Sequence, residues 1–192
     1  AETSLENIFP INLSPSTTPS VWFDYQGQAW QRQEEIFSNN NQTITLPKLA
    51  TSLIAVSKKF ILAGWQDKIY LLDRANENSQ QILSVNQIHF NNFTNEWLLW
   101  SLNELWTVYP DGRAVLLLRT GEEIKQVLPL DENGLLLVIH KNKLTAFNPG
   151  YYLGQDLLNN VEIKQVSTAV KNRLIYFSGK MGQKEGLFQL EY

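Results

Sequence analysis

Residues 97–107 read WLLWSLNELWT. Two apolar runs, WLLW and ELWT, stand on either side of a short link, and two strand-like runs at that distance predict a β-hairpin. A third run precedes the hairpin at residues 87–90, and a PDG turn at residues 110–112 leads into a fourth at residues 114–118. The stretch therefore predicts one unit of four short antiparallel strands.

The same hairpin recurs along the chain. The central positions of its second runs are separated by 40, 36, 39 and 43 residues. Four strands in about forty residues are typical of a β-propeller blade. The sequence predicts an all-β fold, a β-propeller with five blades of about forty residues, and the alternative is an open part of a larger propeller. The five central positions are Trp30, Tyr70, Trp106, Thr145 and Phe188.

The repeat covers almost the whole chain, so we expect residues 1–192 to form a single propeller domain. Residues 1–20 are expected to be an N-terminal strand or linker, because residues 12–20 are rich in proline and small hydroxylated side chains. The apolar segment at residues 7–13 has two alternatives. It completes the last unit and closes the ring, or it forms the innermost strand of the first unit.

Composition argues against several classes of function. The 192 residues include six Trp, seven Tyr and nine Phe and carry a formal net charge of −3. A slightly acidic chain without a long basic run argues against nucleic acid as a partner. The longest apolar runs are strand-sized, so no direct membrane span is expected in this chain. Cysteine is absent, which excludes disulfides, thiolate metal sites and a cysteine nucleophile.

From Trp97 onward, the sequence resembles the repeats of bacterial envelope β-propellers of the TolB-like kind, with the hairpin followed by the turn at residues 109–113. Residues 120–125 and 176–187 are similar to propellers that accompany PEGA domains in membrane-anchored bacterial proteins. The resemblance implies a binding scaffold and an extracytoplasmic location in the cell envelope, with tethering through a removed or missing N-terminal segment. It supplies no catalytic residues.

No catalytic or metal-binding pattern is found. His89 and His140 are candidates for a metal ligand or general base, but we favour sheet residues that hydrogen-bond to a neighbour. The acidic doublet Glu122-Glu123 is interpreted as a solvated loop rather than a site. A Gly-x-Ser-x-Gly motif, phosphate loops and histidine pairs with metal-ligand spacing are all absent. We therefore predict a chain that is not an enzyme and has no metal or cofactor.

The candidate binding residues are those that the repeat does not explain. The aromatic residues that recur once per unit are expected to pack between blades. The remaining candidates are expected in exposed turns, where loop aromatic residues bind peptides or carbohydrates. Those candidates are Trp65, Gln66 and Asp67 in the second unit, Tyr151 and Tyr152 in the fourth, and Met181 in a predicted loop at residues 179–184.

These features favour a non-catalytic binding or scaffold domain that recognises a protein or glycan through its loops. The first alternative is a glycan-active enzyme or lectin with carboxylates converging in a central funnel. The second is a purely structural subunit of an envelope assembly. The sequence leaves the ligand and the oligomeric state open.

Overall fold

Antiparallel β-strands dominate the computed structural model, which describes residues 20–47, 50–75 and 80–192. They form five sheets, four of them with four strands and one with three. The all-β prediction is confirmed. The chain contains two compact units, which are described separately, and a single domain stays a prediction. The predicted N-terminal strand or linker lies outside the described residues apart from its last residue, Ser20.

The first unit ends at Leu83 and contains two sheets whose strands pair in chain order. Each connection within a sheet is therefore a hairpin. Trp30, Phe37, Leu53 and Tyr70 are buried in its core. The strands are β1 (Ser20–Phe23), β2 (Ala29–Gln33), β3 (Ile36–Ser38), β4 (Thr43–Thr45), β5 (Ser52–Val56), β6 (Phe60–Trp65), β7 (Lys68–Asp73) and β8 (Gln80–Leu83).

The second unit begins at Ser84 and contains the other three sheets, again paired in chain order. A short 3₁₀ helix, Val170–Asn172, connects two strands of the last sheet. The strands are β9 (Gln87–Asn91), β10 (Glu96–Trp100), β11 (Glu104–Val108), β12 (Ala114–Arg119), β13 (Ile124–Pro129), β14 (Leu136–His140), β15 (Lys143–Asn148), β16 (Leu153–Asn159), β17 (Val161–Ala169), β18 (Leu174–Met181) and β19 (Lys184–Glu191).

The apolar runs of the second unit are buried between neighbouring sheets. Leu98 and Leu105 of β10 and β11 pack in one cluster with Val138 and Phe147 of β14 and β15. A second cluster joins β14 and β15 to the last sheet, where Phe177 stacks on Phe188 at 5.0 Å between ring centroids. A central strand covered on both faces needs apolar residues at successive positions, which explains the continuous hydrophobic runs.

The first sheet departs from the predicted repeat. The repeat predicts that Trp30 and Tyr70 occupy equivalent positions, on the third strands of their units. Within the described residues, Trp30 lies on the second strand of its sheet, and Tyr70 lies on the third strand of the next. The two strands that follow Trp30 have three residues each. Strands that short give too little alternation to be recognised from the sequence.

The loop predicted at residues 179–184 is wrong. Strand β18 continues to Met181 and β19 begins at Lys184, so only two residues connect them. Gly182 is the first of the two and has a φ of 62°, a left-handed conformation that two-residue hairpin turns require. Of the glycines that indicated a loop, Gly182 therefore forms a tight turn, and Gly179 lies within β18 where its pairing with β17 shifts register.

Candidate binding surface

The turns of the second unit lie at two opposite edges of its sheets, because successive strands are antiparallel. Turns that follow the first or third strand of a sheet meet at one edge. There, an added Cβ at Gly134 would lie 3.6 Å from Thr94 Cγ2 of the neighbouring sheet. We call this the tyrosine edge, and it comprises residues 92–95, 109–113, 131–134, 149–152 and 170–173.

Turns that follow the second strand lie at the other edge, together with the links between sheets. The backbone N–H of Ile124 donates to the Leu102 carbonyl there, at 2.7 Å, and joins a link to a turn. We call this the polar edge. It comprises residues 101–103, 120–123, 141–142, 160 and 182–183.

The tyrosine edge presents consecutive apolar side chains to solvent. Tyr151, Tyr152 and Leu153 are 76%, 60% and 66% exposed. Their turn is held by the Asn148 side chain, whose Oδ1 accepts a hydrogen bond from Gly150 N at 3.0 Å. Tyr152 has a φ of 53°, a left-handed conformation that ends the turn. The fold thus fixes the backbone of these residues but leaves their side chains uncovered.

Tyr109 belongs to the same edge, although it comes from another sheet. The Arg113 guanidinium lies over its ring at 4.9 Å from the centroid. Burial raises the pKa of the Tyr109 phenol, and the charges of Glu96 and Tyr152 raise it further. Val108 pairs with Trp97, so Tyr109 lies across the hairpin from Glu96.

Glu96 is a half-buried carboxylate of this edge and begins β10. Burial raises the pKa of its carboxyl above the ordinary value. The Thr94 and Thr107 hydroxyls beside it oppose this shift, but both oxygens are buried and neither is aligned as a hydrogen bond. Among the residues that the structure describes, no Lys, Arg or His nitrogen lies within 4.0 Å of this carboxylate.

The polar edge holds charged groups that neutralise one another. Lys143 Nζ lies 2.8 Å from Glu122 Oε2 and 3.5 Å from Asp156 Oδ1. The Thr145 hydroxyl donates to the same Asp156 oxygen at 2.9 Å. The hydrogen bond to Glu122 is the main cause of the raised pKa of Lys143. This network ties the link between two sheets to β15 and β16 of one of them.

His140 joins this network from β14 and is 5% exposed. Its Nδ1 lies 3.1 Å from the Glu123 carbonyl oxygen, so the nitrogen acts as the donor. Burial lowers its pKa, which keeps the ring neutral near pH 7. The structural interpretation of His140 is confirmed, and the link containing Glu122 and Glu123 is anchored to the sheet. His89 lies on β9, and burial lowers its pKa as well.

Met181 lies at the polar edge, opposite the edge of the two tyrosines. It is 42% exposed and ends β18. Beside it is a shallow cleft of about 390 Å³. The predicted candidates of the second unit therefore do not form one surface. The cleft is lined by Asn142, Asn160, Val161, Glu162, Lys180 and Gly182.

The sequence predicts that Trp65 lies in a turn, and this is wrong. Trp65 is the last residue of β6 and pairs with Lys68. Its ring stacks on Tyr70 at 5.6 Å, and the Lys68 ammonium lies 5.5 Å from the ring centroid. It packs against the core of the first unit and is half-buried. Gln66 and Asp67 form the exposed two-residue turn. A binding role for these three residues stays a prediction.

Sequence reasoning missed Tyr109 and Glu96. Tyr109 directly precedes the PDG turn, so it was interpreted as part of that turn and not as a binding residue. Glu96 carries a signal that was available. It stands two positions before Leu98 and therefore shares the face of β10 that packs against the next sheet. A charged residue on a buried face usually has a function or a partner.

No group of three or more His, Cys, Asp or Glu side chains suited to a metal ion is present in the part of the chain that the structure describes. In the same part, no helix has the length and apolar character needed to cross a membrane.

No protein-family model matches the chain, and no curated protein matches it. Solved structures do. Hsv2p of Kluyveromyces lactis aligns with a TM-score of 0.51 and 13% identity, over 85% of this chain and 58% of that one. Hsv2 of Kluyveromyces marxianus gives 0.50 and 13%, over 85% and 56%. An extracellular domain of BT4673 from B. thetaiotaomicron gives 0.49 and 17%, over 90% and 28%.

The aligned Hsv2 structures are β-propellers, so the predicted fold class is confirmed. The chain spans about half the length of the N-terminal domain of Nup159 and of Hsv2, with 43–56% of four matched structures covered. Five blades stays a prediction, as does membership of the TolB-like or PEGA-associated group.

Proposed function

We propose that this chain is a non-catalytic binding domain that recognises a protein partner through the tyrosine edge. The observation that carries the proposal is the run Tyr151, Tyr152 and Leu153, which places three large side chains in solvent at 60–76% exposure. Their turn is fixed by hydrogen bonds, so little backbone freedom is lost when a partner binds.

The chemistry of this edge favours a protein over a glycan. Tyrosine and arginine are enriched at the centres of protein interfaces, and exposed Leu153 adds aliphatic area that an apolar side chain of a protein partner would cover. The polar edge is less suited to a partner, because Lys143 is already engaged with two carboxylates of the same chain.

The proposed location is outside the cytoplasm, in the bacterial cell envelope. The likeness of residues 120–125 and 176–187 to propellers of membrane-anchored envelope proteins supports it. In that setting the propeller acts as a rigid scaffold, and its turns select the partner.

The test compares two matched variants. The chain is immobilised, exposed to solubilised envelope extract from its source, and the captured protein is identified by mass spectrometry and its affinity measured. The double variant Tyr151→Ala/Tyr152→Ala is expected to weaken binding by at least about 2 kcal/mol, or about thirtyfold, because exposed interface tyrosines are typical hot spots.

Leu102→Ala is the control, since Leu102 is 58% exposed but lies at the polar edge. It is expected to bind like the wild type, and all variants are expected to keep the wild-type melting temperature because the substituted side chains are exposed. A partner that binds the double variant as tightly as the wild type contradicts the proposal. So does a partner lost with Leu102→Ala alone.

A further inference from the structure

We propose that the partner at the tyrosine edge presents a lysine or arginine side chain, which docks against the Glu96 carboxylate beside Tyr109 and Tyr152. This inference rests on the proposed function and specifies the chemistry that the edge recognises.

The first step is the position of Glu96. It begins β10 on the same face as Leu98 and faces the neighbouring sheet where the two sheets reach the tyrosine edge. Its cross-strand partner is Asn91, which is 1% exposed. The carboxylate is therefore partly withdrawn from water at the mouth between two sheets, where ionising it costs free energy unless a cation is near.

The second step is charge complementarity. Some other carboxylates of this unit are paired with cations: Glu104 pairs with Arg119 at 2.6 Å, and Glu122 pairs with Lys143. Arg113, from the same edge as Glu96, is 3.5 Å from Asp111 instead. In the described part of the chain, Glu96 has no such cation within 4.0 Å. Asp131 of the same edge also lacks a cation but accepts hydrogen bonds from the backbone N–H groups of Asn133 and Leu135. The cation that Glu96 lacks would come from a partner.

The third step is the surroundings of the carboxylate. The buried hydroxyls of Thr94 and Thr107 lie beside it and favour its charged form. Tyr109 lies across the hairpin from Glu96, because Val108 pairs with Trp97, and Tyr152 interacts electrostatically with the Tyr109 phenol. A lysine or arginine side chain combines an apolar stem with a charged end. The stem would lie along tyrosine rings while the end reaches the carboxylate, and cations also bind favourably over aromatic faces.

The experiment titrates the full chain, labelled with ¹⁵N, with N-acetyl-lysine methylamide and, as the matched uncharged probe, N-acetyl-norleucine methylamide. The two probes share the apolar stem and differ in the ammonium group. We expect saturable shifts for the lysine probe at the backbone amides of Glu96, Thr107, Tyr109 and Tyr152, and none that saturate for norleucine. Equal shifts with both probes would overturn the inference without the need for any variant.

The substitution Glu96→Gln removes the charge at nearly constant shape. It is expected to weaken binding of the lysine probe at least about tenfold, because a hydrogen bond to a charged group is lost. Glu132→Gln removes an exposed carboxylate from the same edge and is expected to bind like the wild type. Glu96→Asp, which keeps the charge, is expected to bind more tightly than Glu96→Gln. Unchanged binding by Glu96→Gln would overturn the inference.

The outcomes separate this inference from the proposed function. A protein partner that is lost with Tyr151→Ala/Tyr152→Ala but unaffected by Glu96→Gln leaves the function standing and overturns the inference. A partner whose binding is independent of the tyrosines contradicts the function, whatever Glu96→Gln does.

Discussion

The two edges of the second unit are made from the same strands but differ in how far their polar and apolar groups are paired or covered within the chain. At the polar edge, Lys143 lies between two carboxylates, and His140 donates to a backbone carbonyl. At the tyrosine edge, Tyr151 and Tyr152 are mostly exposed, and Glu96 is half-buried without a cation among the described residues.

The two edges are therefore expected to contribute to different properties, the polar edge to stability and the tyrosine edge to recognition. Groups that satisfy one another inside the chain stabilise the fold and have little left to offer a partner. Groups that remain uncovered contribute little to stability and gain most when a partner covers them. Substitutions in the charged network of the polar edge should therefore change the free energy of unfolding, whereas substitutions at the tyrosine edge should change affinity.

The largest effect on stability is expected close to the polar edge, at Gly179 of β18. An added Cβ there would collide with the Glu162 carbonyl of the neighbouring strand, which is backbone and cannot rotate away. Gly179→Ala is therefore expected to reduce the free energy of unfolding by about 3 kcal/mol. Urea denaturation followed by tryptophan fluorescence measures the change.

Gly186 provides the control, because it pairs directly with Gly179 across the ladder of β18 and β19. An added Cβ at Gly186 meets nothing within 4 Å. Gly186→Ala is expected to change stability by no more than about 0.5 kcal/mol, and in the stabilising direction because alanine restricts the unfolded chain. Equal losses for the two variants would contradict the close backbone approach at Gly179.

Much of the fold was predictable because its signals are local. The hairpin around Leu102 and the strand after the PDG turn were found from apolar runs and turn residues alone, and the structure confirms both. The errors have the same origin. Gly182 serves a two-residue turn rather than a loop, and strands β3 and β4 are too short for any alternation to be seen.

The candidate site was less predictable, because it depends on which turns meet. Tyr151 and Tyr152 were identified as aromatic residues outside the repeat, and their exposure agrees with that interpretation. Trp65 met the same criterion but packs on its own unit, since the sequence cannot show whether a ring folds back. Glu96 and Tyr109 are brought to the exposed turn of the next sheet by tertiary packing, which no local pattern encodes.

A smaller effect is expected for His140, and it depends on pH. Burial lowers the pKa of His140 below the unfolded value near 6.5, although the Glu123 carbonyl and the Glu122 and Asp156 charges oppose this. The unfolded chain therefore binds the proton more readily. The stability that neutral His140 provides is fully present above about pH 6.5 and declines as the pH falls below it.

The substitution His140→Asn tests this, since an amide nitrogen can replace Nδ1 as the donor but does not titrate. It is expected to cost about 2 kcal/mol near pH 7 through lost packing, and less near pH 5. Thermal melts of both proteins measure the difference. His89, whose pKa burial also lowers, leaves some pH dependence in the variant. A difference between the two proteins that stays constant with pH would contradict the burial of neutral His140.

The smallest effect, and the one that best isolates the polar edge, is expected for Lys143→Met. Lys143 is 20% exposed and faces both Glu122 and Asp156, so its loss leaves two carboxylates close together without their cation. We expect a loss of about 1 kcal/mol, more than isolated surface pairs give, because one ammonium serves two partners.

Lys164→Met is the matched control. Lys164 pairs with Glu185 alone, and both side chains are more than half exposed. Chemical denaturation at low and high salt should show a loss for Lys143→Met that shrinks as salt rises, and no measurable change for Lys164→Met. Equal effects of the two substitutions would mean that the polar edge is no more than a set of surface ion pairs, and the contrast between the two edges would then rest on the exposed tyrosines alone.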